Sequence, residues 1–140
     1  MLPRMSLNGK RAGSLVEVSR RVLEGREYVP TMKEFIDEVV LAARRGGISD
    51  PSAFVGDEPH PLPEAVDRAH IAGIAEYLSQ ILAARPPAWV EKDDYFLPQA
   101  VYTCGSAARA IYMIETPSAF RRRNLFCGPA AERLTRVLAA

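Results

Sequence analysis

One stretch restricts the fold of this chain more than any other. Between Met32 and Ala43, apolar residues recur as Met32, Phe35, Ile36, Val39, Val40 and Ala43. That i, i+3, i+4, i+7 spacing gathers them on one face of an α-helix. Thr31 and Glu34 follow Pro30 at the spacing of a capping box, which predicts a helix starting at Thr31. Glu34, Asp37 and Glu38 come early and Arg44 and Arg45 late, the order that suits the helix dipole. Gly46 and Gly47 supply a stop. A helix with one broad apolar face has to bury it against other elements.

Other segments offer matching faces. Ser14 and Glu17 form a second capping box, with Leu15, Val18 and Val22 on one side and Gly25 as the stop. Pro63 suits the first position of a helix running to about Ala84. Ile71, Ile74, Leu78, Ile81 and Leu82 make its stripe, and Arg85-Pro86-Pro87 ends it. A fourth helix is predicted over Pro98 to Glu115 from the spacing of Val101, Cys104, Ala108 and Ile111. Gly105 is its weak point, and a β-hairpin is the competing reading. Thr116-Pro117 opens a short helix broken by Gly128-Pro129, and a last helix covers Ala130 to Ala139.

The Pro- and Gly-rich connection from Ser49 to Pro63 is long for a compact domain. Asp50-Pro51 can open a short helical turn within it, and it is expected either to pack through Phe54 and Val55 or to carry function. Ala88 to Leu97 reads as an ordered loop whose aromatics, Trp89, Tyr95 and Phe96, cover the core. With 140 residues, the expectation is an all-α, single-domain bundle of five to six helices over residues 14–140, preceded by a flexible basic arm, residues 1–13.

The net charge of +1 conceals a pattern. Residues 1–26 sum to +4, residues 27–99 to −7 and residues 100–140 to +4. Basic ends flank an acidic middle. The ends either fold against the middle or form a surface for a partner. Two distant cysteines, no signal-like start and no apolar run near the ~18 residues of a membrane span point to a reduced, cytoplasmic chain without a membrane segment.

Catalytic chemistry finds little support in the residue pattern. His60, His70, Cys104 and Cys127 show no metal-ligand spacing, so neither a metal nor any other cofactor is expected. Cys104 falls on an apolar stripe and reads as buried and inert; Cys127, near Arg123 and ahead of a helix start, is better placed to be a thiolate. Glu34 and Glu38 lie one helical turn apart, yet such pairs are usually solvated. Arg45-Gly46-Gly47 lacks the residues of a phosphate-binding loop. No catalytic residue is assigned.

The most distinctive run is Thr116 to Phe126, Thr-Pro-Ser-Ala-Phe-Arg-Arg-Arg-Asn-Leu-Phe. Arg121, Arg122, Arg123 and Asn124 could meet phosphates, a partner protein or the chain's own acidic middle. With Trp89 after Pro86-Pro87 and with Phe96-Leu97-Pro98, this run resembles the C-terminal half of an uncharacterised family of small bacterial helical proteins, over roughly Pro86 to Leu138. That family is associated with gene neighbourhoods of the toxin–antitoxin type. The resemblance implies a bacterial, cytosolic interaction protein and says nothing about a reaction.

The expected function is therefore non-catalytic: a protein-interaction or regulatory component, antitoxin-like in one form. Its contact residues would be Arg121, Arg122, Arg123, Asn124 and Trp89, with a protein partner or a second copy. The alternative is a nucleic-acid-binding module using the same arginines. A small metal-dependent enzyme stands behind both.

Overall fold

The computed structural model describes residues 10–129 and 132–138, the side chains of residues 132 and 133 excepted. Among these residues there are seven α-helices: α1 (Leu15–Leu23), α2 (Tyr28–Gly46), α3 (Ser52–Val55), α4 (Ala65–Ile81), α5 (Arg109–Glu115), α6 (Ser118–Arg121) and α7 (Glu132–Leu138). The chain is mostly helical, as its patterning predicts. It exceeds the expected count because α3, a single turn, closes inside the long connection, where the Asp50 carboxylate accepts from the backbone N–H of Ser52 at 3.0 Å.

The cap of α1 forms as the sequence implies, with Ser14 Oγ accepting from the Glu17 N–H at 3.1 Å. The start of α2 differs. It begins at Tyr28, three residues before the predicted cap. Pro30 sits in the first turn, where a backbone N–H has no partner within the helix, so the ring costs the helix nothing there. Thr31 lies inside the helix and its hydroxyl donates to the Glu27 carbonyl at 2.7 Å. Glu34, freed from capping, holds Arg21 at 3.0 Å and Arg26 at 2.6 Å.

Helices α2 and α4 form the centre. Helices α1 and α7 pack on α2, and α6 packs on α4 together with two 3₁₀ turns, Ala88–Glu91 and Asp93–Tyr95. Leu15, Val18, Phe35, Val39, Ile71, Ile74 and Leu78 have no solvent exposure. Each such side chain stabilises the fold by roughly 1.5–3 kcal/mol relative to an exposed one. The approach of α6 to α4 depends on Gly73, because a Cβ there would overlap the Phe120 ring.

The long connection is stapled from the far side of the sequence. Val55 is buried, its carbonyl accepts from Trp89 Nε1 at 3.0 Å, and Glu58 is held by Lys92 at 2.7 Å and by the Tyr95 hydroxyl at 2.8 Å. A second tie is the His60 N–H donating to Ser19 Oγ at 2.9 Å. Of the expected basic arm, residues 1–9 fall outside the described residues. Residues 10–13 touch the body at two points: Ala12 is fully buried, and the Lys10 carbonyl accepts from Arg21 at 2.8 Å.

The segment from Pro98 to Ala108 is neither the predicted helix nor the competing hairpin. Val101–Tyr102 (β1) pairs in parallel with Leu125–Phe126 (β2), in the register Val101 with Leu125 and Tyr102 with Phe126. Asn124 turns the chain into β2 with φ +65°. The Tyr102 and Phe126 rings stack 4.6 Å apart. A helix appears only from Arg109, after Gly105 and a 3₁₀ turn at Ser106–Ala108. Cys104, expected on a buried stripe, is therefore half-exposed.

Candidate functional site

The arginine run was the first candidate, and its three members separate in space. The short helix α6 and the turn after it point them in different directions. Arg121 is exposed. Arg122 lies on the surface but reaches inward: its Nε donates to both Glu76 carboxylate oxygens at 3.0 and 2.9 Å, and its Nη2 also engages Glu91. Arg123 is wholly buried. Its Nη2 meets Glu76 Oε1 at 2.5 Å, its Nη1 donates to the Val90 carbonyl at 2.8 Å, and its guanidinium lies 4.6 Å from the centre of the Phe96 ring. Asn124 Nδ2 donates to the Leu97 carbonyl at 2.8 Å. Trp89 is buried against Tyr95 and bonded to Val55.

Four of the five sequence-chosen contact residues thus work inside the molecule. The charge pattern resolves in the same way. Arg11 pairs with Glu38, Arg21 and Arg26 pair with Glu34, and Arg122 and Arg123 pair with Glu76. Both basic ends fold against the acidic middle. Glu76 takes two arginines, and hydrogen bonding to it pushes Arg122 above its ordinary range, while desolvation pulls Arg123 below. A buried arginine needs such a network, since an unpaired charge there would be costly.

A second feature emerges only from the fold. A cavity of about 480 Å³ opens between α2, α4 and β2. Its lining is mainly apolar, with half-buried Ile36 and Val66 backed by the core residues Met32, Ile74, Phe120 and Leu125. Tyr28 and His70 stand on it as a pair, joined by a 2.6 Å hydrogen bond between the tyrosine hydroxyl and Nδ1. The imidazole stacks on Phe120, with centroids 5.4 Å apart. Desolvation pulls the His70 pKa down to about 4 and pushes Tyr28 well above its usual value, so both are neutral near pH 7.

Cys127 also lines this cavity. The sequence favoured it as a thiolate, but burial pushes its pKa up to about 11, so it is a protonated thiol. Asp67 is raised above the usual carboxylate range by burial and then by nearby Glu64. Lys33 stands at the exposed mouth. The lining comes from four separate stretches of sequence, none with a motif. A weak signal did exist, since His70 lies at the edge of the apolar stripe of α4.

A third feature is an excursion of the backbone from Thr103 to Thr116. Its two feet stand on one segment. The Thr103 N–H donates to the Phe126 carbonyl at 3.2 Å, and the Gly128 N–H donates to Thr116 Oγ1 at 2.8 Å. The excursion carries α5, which contributes no buried residue. Tyr112 rests on Gly128, which has φ +69° and no room for a Cβ. Ile111, Met113 and Ile114 are exposed at 54%, 51% and 78%.

Among the described residues, no three His, Cys, Asp or Glu side chains come together as a metal site, and no helix is long and apolar enough to cross a membrane. No family model, no curated protein and no solved structure matches the chain.

Proposed function

We propose that this chain is a non-catalytic interaction protein whose contact element is α5. The observation that carries the reading is the exposure of Ile111, Met113 and Ile114 on a helix that buries nothing of its own. Large apolar side chains exposed together on one face, as Ile111 and Ile114 are, mark interaction surfaces. Ile111 and Ile114 lie one turn apart, the spacing that anchors a helix in a groove. Arg109 begins the helix and Glu115 ends it. The partner is a protein with an apolar groove, an acidic group at one end and a basic group at the other.

The resemblance of the C-terminal half to an uncharacterised family of toxin–antitoxin-type neighbourhoods supports the same class of role. The exposure of α5 moves the contact from the arginine run to the helix just before it. The nucleic-acid alternative has less to draw on. Two of its three arginines are engaged by carboxylates, and only Arg121 stands exposed outside those pairs.

The test is photocrosslinking in cells, with p-benzoylphenylalanine in place of Ile114 and, as the control, in place of exposed Gln80. The reading expects one discrete protein adduct from position 114, competed by the wild-type chain and absent at position 80. Adducts of equal intensity at both positions, or none at 114, overturn it.

A further inference from the structure

The cavity between α2, α4 and β2 does not take part in the proposed protein contact, and its chemistry points to a small ligand. At about 30 Å³ per water-sized group, its volume of about 480 Å³ holds roughly sixteen heavy atoms. Ile74, Phe120 and Leu125 are core residues with almost no exposure and back the cavity, while the half-buried Ile36, Val66 and His70 supply its accessible surface. The mouth is set by exposed Val29, Lys33 and Thr103. The result is a fixed apolar bowl with an open side, the usual form of a small-molecule site.

The polar groups in the bowl narrow the ligand. Tyr28 and His70 share one hydrogen bond and carry no charge near pH 7. Whichever of the two donates, the pair keeps one N–H or O–H donor and two lone pairs beyond their shared bond. Cys127 adds a neutral thiol. The half-buried His70 ring, held on the buried Phe120 ring 30° from parallel, is a flat group that suits a planar neighbour. The charged residues of the lining, Asp67 and Lys33, are of opposite sign, so the lining carries no excess charge to select an ion.

We propose that this cavity binds a neutral, mainly apolar, planar small molecule carrying one hydroxyl or carbonyl group, held by the Tyr28–His70 pair. The polar group of the ligand exchanges its water for the free donor or acceptor of the pair. Its apolar body lies against the half-buried Ile36 and Val66, which Ile74, Phe120 and Leu125 back from the core.

The full chain is titrated with prodan, a neutral naphthalene ketone that fits the volume, and with the anionic dye 1-anilinonaphthalene-8-sulfonate. The inference expects saturable 1:1 prodan binding with a blue-shifted emission and weaker binding of the anion. Tyr28→Phe removes only the hydroxyl and should weaken prodan by about three- to tenfold. Val66→Trp fills one wall and should weaken it by more than about tenfold. Ile114→Ser, on the separate contact helix, should leave it unchanged. Each variant is checked by its far-ultraviolet spectrum and melting temperature, and Tyr28→Phe carries the test if Val66→Trp does not fold.

Non-saturating prodan binding overturns the proposal, as does loss in Ile114→Ser equal to that in Tyr28→Phe. Wild-type affinity in a folded Tyr28→Phe or Val66→Trp chain overturns it too. Crosslinking at position 114 can fail without touching these results, and they can fail without touching the crosslink.

Discussion

Arg123 and Glu76 meet across 47 positions of sequence through a 2.5 Å contact between Nη2 and Oε1, where the arginine has no solvent exposure. The pair fastens the C-terminal third to the central helix. Arg123 also closes the Ala88–Glu91 turn through the Val90 carbonyl. One side chain therefore joins three segments.

Removing one partner strands the other. Glu76→Gln is expected to destabilise the fold by about 3–5 kcal/mol, because Arg123 keeps a buried charge without its counter-ion. Arg121→Ala, its exposed neighbour, should change stability by no more than about 0.5 kcal/mol. Urea unfolding of the two variants beside the wild type measures both, and equal effects would contradict the assignment.

Gly73→Ala tests the contact between α4 and α6. The new methyl would overlap the Phe120 ring, and the expected loss is about 1–3 kcal/mol. Phe120→Leu in the same chain removes the obstructing ring edge. The double variant should therefore lose less than the sum of the two single losses, measured by thermal or urea unfolding.

His70 gives the fold a pH dependence of definite sign. An unfolded imidazole takes up its proton near pH 6.5, whereas the folded one does so only near pH 4. Between those values protons favour the unfolded chain. Stability is thus lost as pH falls from about 6.5 to 4, by up to roughly 3 kcal/mol and by less where water enters the cavity. Asp67, one turn away with a raised pKa, acts in the opposite direction at the acid end. Subtracting the stability curve of His70→Gln from that of the wild type isolates the histidine, and a flat difference would refute it.

The two cysteines should react in sequence. Cys104 is half-exposed on the excursion, and Cys127 is buried with its pKa up at about 11. Native protein at pH 8 is expected to consume one equivalent of a disulfide reagent quickly, mapped to Cys104, and the second only in denaturant. Fast reaction at Cys127 would show that its site opens readily.

The long helices were legible because each carries its own face. The stripe from Met32 to Ala43 needs no distant partner to be read, and Ser14 caps α1 as its sequence position suggests. The shift of α2 back to Tyr28 arose because Pro30 is compatible with the first turn as well as with a position before it. The β pair was not legible. Each strand has two residues, and its partner lies 24 positions away, so no local period exists. The spacing of Val101, Cys104, Ala108 and Ile111 imitated a helix across Gly105. The arginine run was visible, but its division into a buried, a bridging and an exposed member depends on Glu76, Glu91 and Phe96, all remote in sequence. The cavity depends on the same kind of remote assembly, and no single segment announces it.

The excursion from Thr103 to Thr116 leaves and returns through anchors on Phe126 and Gly128. Its ends are held together by the body of the protein rather than by its own residues. The length of what lies between them is thus nearly independent of the rest of the fold, since extending an already closed loop adds only a slowly growing entropy cost. Gly105, exposed and with open space about it, is a natural point for such growth. The molecule is built like a handle on a rigid body: the grip can be exchanged for another while the mounting stays the same.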